Sequence, residues 1–483
     1  MWSLNPWASA AAQPPTIKTN EIFPLHYLDN KMGRLSLVLS QTLLFHSVLD
    51  PTKLHDGLVR LVSNEFTAAR PAVLFSAETL DMPISEHPVG GRLPRAEAAT
   101  EEGSSSRGPS LHPGSTEFKE FSVGPGWCTK QDDYLCRDDP VLGLRVIVFT
   151  DATVVSLVVP QVVAGALGFQ SIFKAWSAAL LDGNAIPPLL GVREDVIDSI
   201  GGEGQTMESC ALLPKELKGW GFVKFISRLV WNMFWRPTVG SRSICLPRQF
   251  VSRLHEQCIR EAEAAANKDE DGQPVFLSDG DVPDGVADAL RGARAGRDSL
   301  RDTVADGGVY VQNLAGAAFT DIGVDLAMNR PLGEVALAIR GSIQEQATEA
   351  QMRALIGMYK ADALGQQKSL FGDPEAQLVI YSNCTMFDLF NVCDFGVVVV
   401  KSSEAKTSPS SKTGSDNDAT MNTPPGKPVY MHCRSVEDSR FHRDAFFIMG
   451  KDLQDNYWTT AFIYPEDFAP LEDHMEQTWE RIR

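Results

Sequence analysis

The sequence contains no apolar run approaching the roughly 18–20 residues of a membrane span, which excludes a spanning helix as its organising element. Its eight cysteines (Cys128, Cys136, Cys210, Cys245, Cys258, Cys384, Cys393, Cys433) include no Cys-x-x-Cys pair. That scatter gives neither a structural zinc site nor a disulfide framework. They read as reduced, mostly buried small side chains of a cytosolic protein. No dense Lys/Arg cluster offsets the net charge of −18, which argues against binding nucleic acid through its phosphates. Gly-x-Ser-x-Gly, Gly-x-Gly-x-x-Gly and Walker patterns are all missing, so neither a nucleophile elbow nor a nucleotide cofactor is supported. The opening MWSLNPWASAAAQPP lacks a basic start and is interrupted by Pro6, against a signal peptide.

What is present suits a large α/β protein. At 483 residues and 43% hydrophobic, the chain can bury the cores of two or three domains. Asp50-Pro51 opens a helix with Leu54, Leu58, Leu61 and Val62 on its apolar stripe. Residues 142–150 read as a strand, turned back at Asp151-Ala152 into a second strand from Val154. Further strands are expected near 243–247, 378–383, 428–433 and 457–463, with helices over 247–265, from Pro331 and from Pro465. The stretch 183–245 carries Trp220, Phe222, Phe225, Trp231, Phe234 and Trp235. A crossover packed on both domains is the preferred reading there, ahead of a membrane-surface helix.

The most informative stretch is 154–183. Val154 to Val159 is an almost unbroken β-branched run, expected to be buried on both faces. After Pro160 and the turn 161–168, Phe169, Ile172, Phe173, Trp176, Ala179 and Leu180 recur at helical spacing, with Gly183 as the stop. Pro160, Ala166, Gly168 and the Ala175-Trp176-Ser177 segment resemble the fungal branch of the BAHD-type acyl-CoA-dependent acyltransferases. That family places a His-x-x-x-Asp motif at this turn. Here Gln161 stands at the histidine position and Gly165 at the aspartate position. The second family signature is matched by Asp394-Phe395-Gly396, with Val397-Val398 after it. Residues 23–29 resemble the family's first docking segment, and 309–313 its strand into a Gln-Asn turn.

The resemblance covers about 20–470 and implies two chloramphenicol acetyltransferase-like domains, each a mixed β-sheet with flanking helices, joined by a long crossover. The expected division is a flexible arm at 1–20, an N-terminal domain at 21–183, the crossover at 184–244 and a C-terminal domain at 245–483 with a disordered insertion at 402–427. Besides the two motif positions, the chain departs from the family at 62–66, where relatives carry a further stretch, and at 283–296, which is Ala/Gly/Asp/Arg-rich instead of aromatic.

By resemblance, the motif histidine is a general base that takes the acceptor's proton. Gln161 cannot ionise a hydroxyl, and Gly165 removes the carboxylate. The Asp394 carboxylate is expected to pair with an arginine in a structural turn. His432, His442 and His255 are candidate substitute bases, each more simply read as structural. His46–Asp50 matches His-x-x-x-Asp literally, and His55-Asp56-Gly57 in part; neither is expected to follow a buried strand with glycines behind it, and both read as surface or packing residues.

The implied function is transfer of an acyl group, acetyl by default, from acyl-CoA to a hydroxyl of a small molecule in secondary metabolism. The enzyme is expected to be a cytoplasmic monomer with acyl-CoA as cosubstrate and no permanently bound cofactor or metal. The alternatives are a catalytically impaired relative that binds or assists, and a pocket that steers cyclisation of a pathway intermediate.

Overall fold

The computed structural model describes residues 24–30, 37–65, 73–93, 108–134, 139–182, 188–191, 194–201, 208–266, 310–313, 316–361, 370–385, 388–402, 423–437 and 443–483. The expected arm at 1–20, the segment 283–296 and His442 lie outside these, as does most of the expected insertion. Its last residues, 423–427, are placed: Phe395 N donates to Gly426 O at 2.9 Å.

The first half supplies β1 (Val38–Phe45), β2 (Ser47–Leu49), α1 (Pro51–Glu65), β3 (Val73–Thr79), β4 (Ser110–Pro113), β5 (Leu142–Val148), β6 (Thr153–Pro160) and α2 (Ala166–Leu181). α1 begins where the sequence says it should: Asp50 Oδ1 accepts from Thr52 N and Lys53 N, capping the first turn. Leu54, Leu58 and Leu61 are buried beneath it. Every residue of β6 is buried.

The rest supplies α3 (Gly219–Trp235), β7 (Gly240–Leu246), α4 (Arg248–Ala266), α5 (Leu332–Gln346), α6 (Glu349–Ala361), β8 (Ile380–Asn383), β9 (Val399–Ser402), β10 (Tyr430–Ser435), β11 (Ala445–Lys451), β12 (Tyr457–Ile463) and α7 (Phe468–Ile482). Among the described residues no helix is long and apolar enough to cross a membrane.

Two five-stranded mixed sheets share one plan. The first runs β10-β1-β6-β5-β3 and the second β4-β7-β12-β11-β8. In each, three antiparallel pairings are followed by one parallel pairing at the edge, β5 with β3 and β11 with β8. Each sheet also takes its opposite edge strand from the other half of the chain: β10 joins the first, β4 the second. β2 and β9 add a two-stranded ribbon between the halves. The exchange ties the halves together through backbone hydrogen bonds, and the largest core accordingly holds Leu157, Phe173 and Trp176 with Phe395, Met431 and Trp458.

Within the crossover, α3 packs through one side only. Phe225 of α3 is buried, but Trp220, Trp231, Phe234 and Trp235 are exposed, at 60% or more of their surface. The expectation of packing on both domains does not hold for that aromatic face.

Candidate active site

β6 delivers the chain to the turn, and backbone geometry fixes it there. Gln161 N donates to Leu37 O at 2.9 Å and Val163 N to Pro160 O at 2.9 Å; Phe169 N to Gly165 O at 3.1 Å then starts α2. The helix start presses on a strand-like segment from the second half. Gly165 N donates to Val311 O at 3.3 Å. A Cβ on Gly168 would lie 2.4 Å from Val311 O, and one on Gly165 2.5 Å from Asn313 Oδ1. The first of these contacts is with backbone, so position 168 admits no side chain without moving the segment.

Asn313 explains why a side chain has no ready room at position 165. Its Nδ2 donates to Gln161 O and to Asp29 Oδ1, both at 2.7 Å, and its backbone N donates to Asp29 Oδ1 at 2.8 Å. Asp29 is 1% exposed and Asn313 7%. The three residues come from the 26–29 turn, the motif turn and the second half. An amide–carboxylate clasp therefore fills the space beside Gly165 and fixes the backbone of Gln161.

Three residues of the segments that the clasp joins carry a polar atom without a partner. Gln161 Oε1, Gln312 Oε1 and His26 Nε2 are buried and lack hydrogen-bond partners among the described residues. Gln312 Nε2 is held by Gly191 O at 3.0 Å, and His26 Nδ1 by the Tyr310 hydroxyl at 3.2 Å. Buried polar atoms are normally paired, so each of these three is free to meet a polar group of a ligand.

The second signature packs against the helix that follows this turn. Asp394 N donates to Ser177 Oγ at 3.0 Å, and Ser177 Oγ donates to Phe173 O at 2.9 Å. Phe395 is fully buried, with its ring centroid 4.6 Å from that of Trp176 and 5.4 Å from that of Phe45. Trp176 Nε1 donates to Leu54 O at 3.0 Å, tying α2 to α1. Gly396 N closes the turn on Asp394 Oδ1 at 3.0 Å. The partner of the Asp394 carboxylate is Lys427, at 3.2 Å, where an arginine was expected.

The other histidines sort cleanly. His432, on β10, is fully buried against the rings of Phe118 and Tyr430. Desolvation, with the nearby Arg434 charge, pushes its pKa down to about 3, so it is neutral. His255 is half-buried on α4. His55 stacks on Phe75 at 4.4 Å within α1, and Asp50 of the literal His46–Asp50 match is the α1 cap. None belongs to the motif turn.

Sequence reasoning placed Gln161 and Gly165 on one turn, and the structure brings them together. It did not single out Asn313, Asp29, His26, Tyr310 or Gln312. The signal was the two flanking segments, 23–29 and 309–313, each noted without an account of how they meet.

No family model matches the chain. It is 35% identical to the acetyltransferase pyiB of Pyricularia grisea over 99% of this chain and 98% of that protein. It is 30% identical to the O-acetyltransferase PaAT-2 of Phomopsis amygdali, over 96% and 99%. Among solved structures it resembles F. sporotrichioides TRI101, crystallised with coenzyme A and T-2, at 15% identity and a TM-score of 0.59, covering 95% of this chain and 98% of that one. That likeness is one of fold. The paired mixed sheets with exchanged edge strands and the second signature packed on the helix after the first agree with it, and together with 30–35% identity to fungal acetyltransferases over nearly the whole chain they place the chain in the fungal BAHD-type acyltransferase family, on the two-domain chloramphenicol acetyltransferase-like fold.

Proposed function

We propose that the chain transfers an acetyl group from acetyl-CoA to a hydroxyl of a small secondary metabolite, at the turn 160–168 between its two halves. The observation that carries this is Gln161 Oε1, buried and unpaired at the family's histidine position. Relatives described as acetyltransferases and a fold-mate crystallised with coenzyme A support the donor. The active unit is a cytoplasmic monomer, with CoA and acceptor entering the cleft between the domains from opposite faces.

In this reading both substrates are held together and the acceptor oxygen attacks the thioester carbonyl directly, with no covalent enzyme intermediate. Gln161 Oε1 accepts a hydrogen bond from a polar group of the acceptor beside its reacting hydroxyl and so aims that oxygen at the carbonyl carbon. An amide does not ionise that hydroxyl. Loss of a general base typically lowers the rate by about 100- to 10,000-fold, whereas positioning two reactants recovers up to ~7–11 kcal/mol in ideal cases. Positioning is the larger effect, so transfer survives the substitution.

The test is thiol release from acetyl-CoA with a panel of hydroxylated small molecules. Wild type releases CoA only with a hydroxyl acceptor, and Gln161→Ala loses kcat/KM. Absence of thiol release across the panel overturns the reading. Reversion is cleaner with Gln161→His alone, because an aspartate at 165 collides with the Asn313 clasp.

A further inference from the structure

Gln161 leaves the proposed reaction without a proton acceptor, and the turn that carries Asp29 of the clasp also carries a buried imidazole. His26 is 3% exposed, yet one of its nitrogens has no partner among the described residues while the other meets Tyr310 OH at 3.2 Å. Tyr310 is itself 3% exposed, with its ring centroid 6.3 Å from that of His26. The link to the motif turn is short. His26 O accepts from Asp29 N at 3.0 Å, Asp29 Oδ1 accepts from Asn313, and Asn313 Nδ2 donates to Gln161 O. An imidazole with one nitrogen oriented by a hydroxyl and the other unpaired, in a water-poor setting, has the arrangement of a general base.

We propose that His26 takes the proton of the acceptor hydroxyl, with Tyr310 as its positioning residue; this rests on the acyl-transfer reading above. With its proton on Nδ1, His26 donates to the Tyr310 oxygen and presents a lone pair at Nε2. The acceptor O–H proton passes to Nε2 as the oxygen forms its bond to the thioester carbonyl carbon. The C–S bond then breaks, and the departing thiolate takes a proton from the imidazolium. The ester and CoA–SH leave, and His26 is neutral again. Gln161 Oε1 and Gln312 Oε1 are left to orient polar groups of the acceptor.

Among the described residues, charged and titratable groups face the 26–29 turn from several elements. Asp29 lies on the turn, Tyr310 against the ring, and Asp195 Oδ2 accepts from Tyr27 N at 2.6 Å. Lys360 Nζ sits 5.5 Å from the Tyr27 ring centroid. His26 is the imidazole among them, so an acid limb in the rate profile reports on it.

The experiment measures kcat/KM for thiol release against pH, together with CoA binding by thermal shift, in full-length wild type, His26→Gln, Tyr310→Phe and His26→Gln with Gln161→His. His26→Gln is expected to lose about 100- to 10,000-fold and its acid limb, while CoA still raises its melting temperature. Tyr310→Phe loses less and moves the limb. The double variant regains rate, because a base has returned at the family's own position; a structural defect at residue 26 is not repaired that way. A wild type that binds CoA but releases no thiol overturns the acyl-transfer reading and His26 with it. An active wild type whose His26→Gln variant keeps its rate and acid limb overturns His26 alone. So does a His26→Gln variant that loses CoA binding and is not rescued by Gln161→His.

Discussion

The two sheets are near copies in plan and opposites in use. Each carries a central strand that ends at a proline turn and feeds a helix: β6, Pro160 and α2 in the first, β12, Pro465 and α7 in the second. Each also has a histidine on its borrowed edge strand in register with two hydroxyl residues, His432–Thr42–Ser156 and His112–Ser243–Thr460. The environments then diverge. α2 buries Phe169, Phe173, Trp176 and Ala179 between α1 and the Asp394 turn, whereas α7 buries only Phe468, Thr478 and Trp479 and exposes Glu472, Asp473 and Glu476. At the helix starts, the first turn is clasped by Asn313 from the other half. Strand, turn and helix supply a frame; contact from the opposite half sets one of the two frames apart as the candidate site.

The sharpest way to break this comparison is at the largest rings. Phe395→Ala removes a fully buried side chain between Trp176 and Phe45 and is expected to destabilise the protein by about 3–5 kcal/mol. Phe468→Ala, in the smaller core beneath α7, is expected to lose less. Urea denaturation of both variants checks the order, and equal losses would mean that α2 is no more enclosed than α7.

The histidine of the first row ties the stability of its sheet to pH. The unfolded chain binds a proton at His432 near the ordinary pKa of 6.5, and the folded chain only near 3. Between those values the unfolded state holds more protons, so stability falls as pH falls, by up to about 1.4 kcal/mol per pH unit from this group. Above about pH 6.5 the residue is neutral in both states and contributes no slope. His432→Leu is expected to flatten the fall in stability between pH 6.5 and 4.5, measured by denaturation at each pH.

The tryptophans of the paired helices make a finer contrast. Trp176 Nε1 donates to Leu54 O, while Trp479 Nε1 has no partner among the described residues. Replacement by phenylalanine removes similar ring area from both. Trp176→Phe should therefore exceed Trp479→Phe by one hydrogen bond, about 0.5–1.5 kcal/mol. A thermal melt of the two variants reads the difference, and Trp479 proving the more sensitive would reverse the assignment.

These contrasts also show what the sequence carried. The run Val154–Val159 and the 169–180 stripe specified β6 and α2 because burial selects residue type strongly along a strand covered on both faces and a helix enclosed by neighbours. Asp50-Pro51 announced α1 through local capping chemistry. β11 was not legible: Ala-Phe-Phe-Ile-Met-Gly-Lys has no alternation, and its place between β12 and β8 is decided by partners distant in sequence. The same holds for the exchange of β4 and β10. At the site, the two motif positions were readable, but the clasp was not. Asp29 and Asn313 are 284 residues apart, and nothing local in either segment names the other.

The smallest effect expected is at the most conspicuous charge of the second signature. Asp394 is 48% exposed and its pair with Lys427 is therefore largely solvated. Such pairs contribute about 0–1 kcal/mol. Lys427 is also held by Asn391 O at 2.7 Å, so it stays in place without the carboxylate. Asp394→Asn keeps an oxygen to accept from Gly396 N, and the Asp394 backbone still donates to Ser177. The variant should melt within a degree or two of wild type and respond little to salt. Its turn is held by the Phe395 ring and backbone bonds, and a large loss in Asp394→Asn would show instead that charge holds the turn against α2.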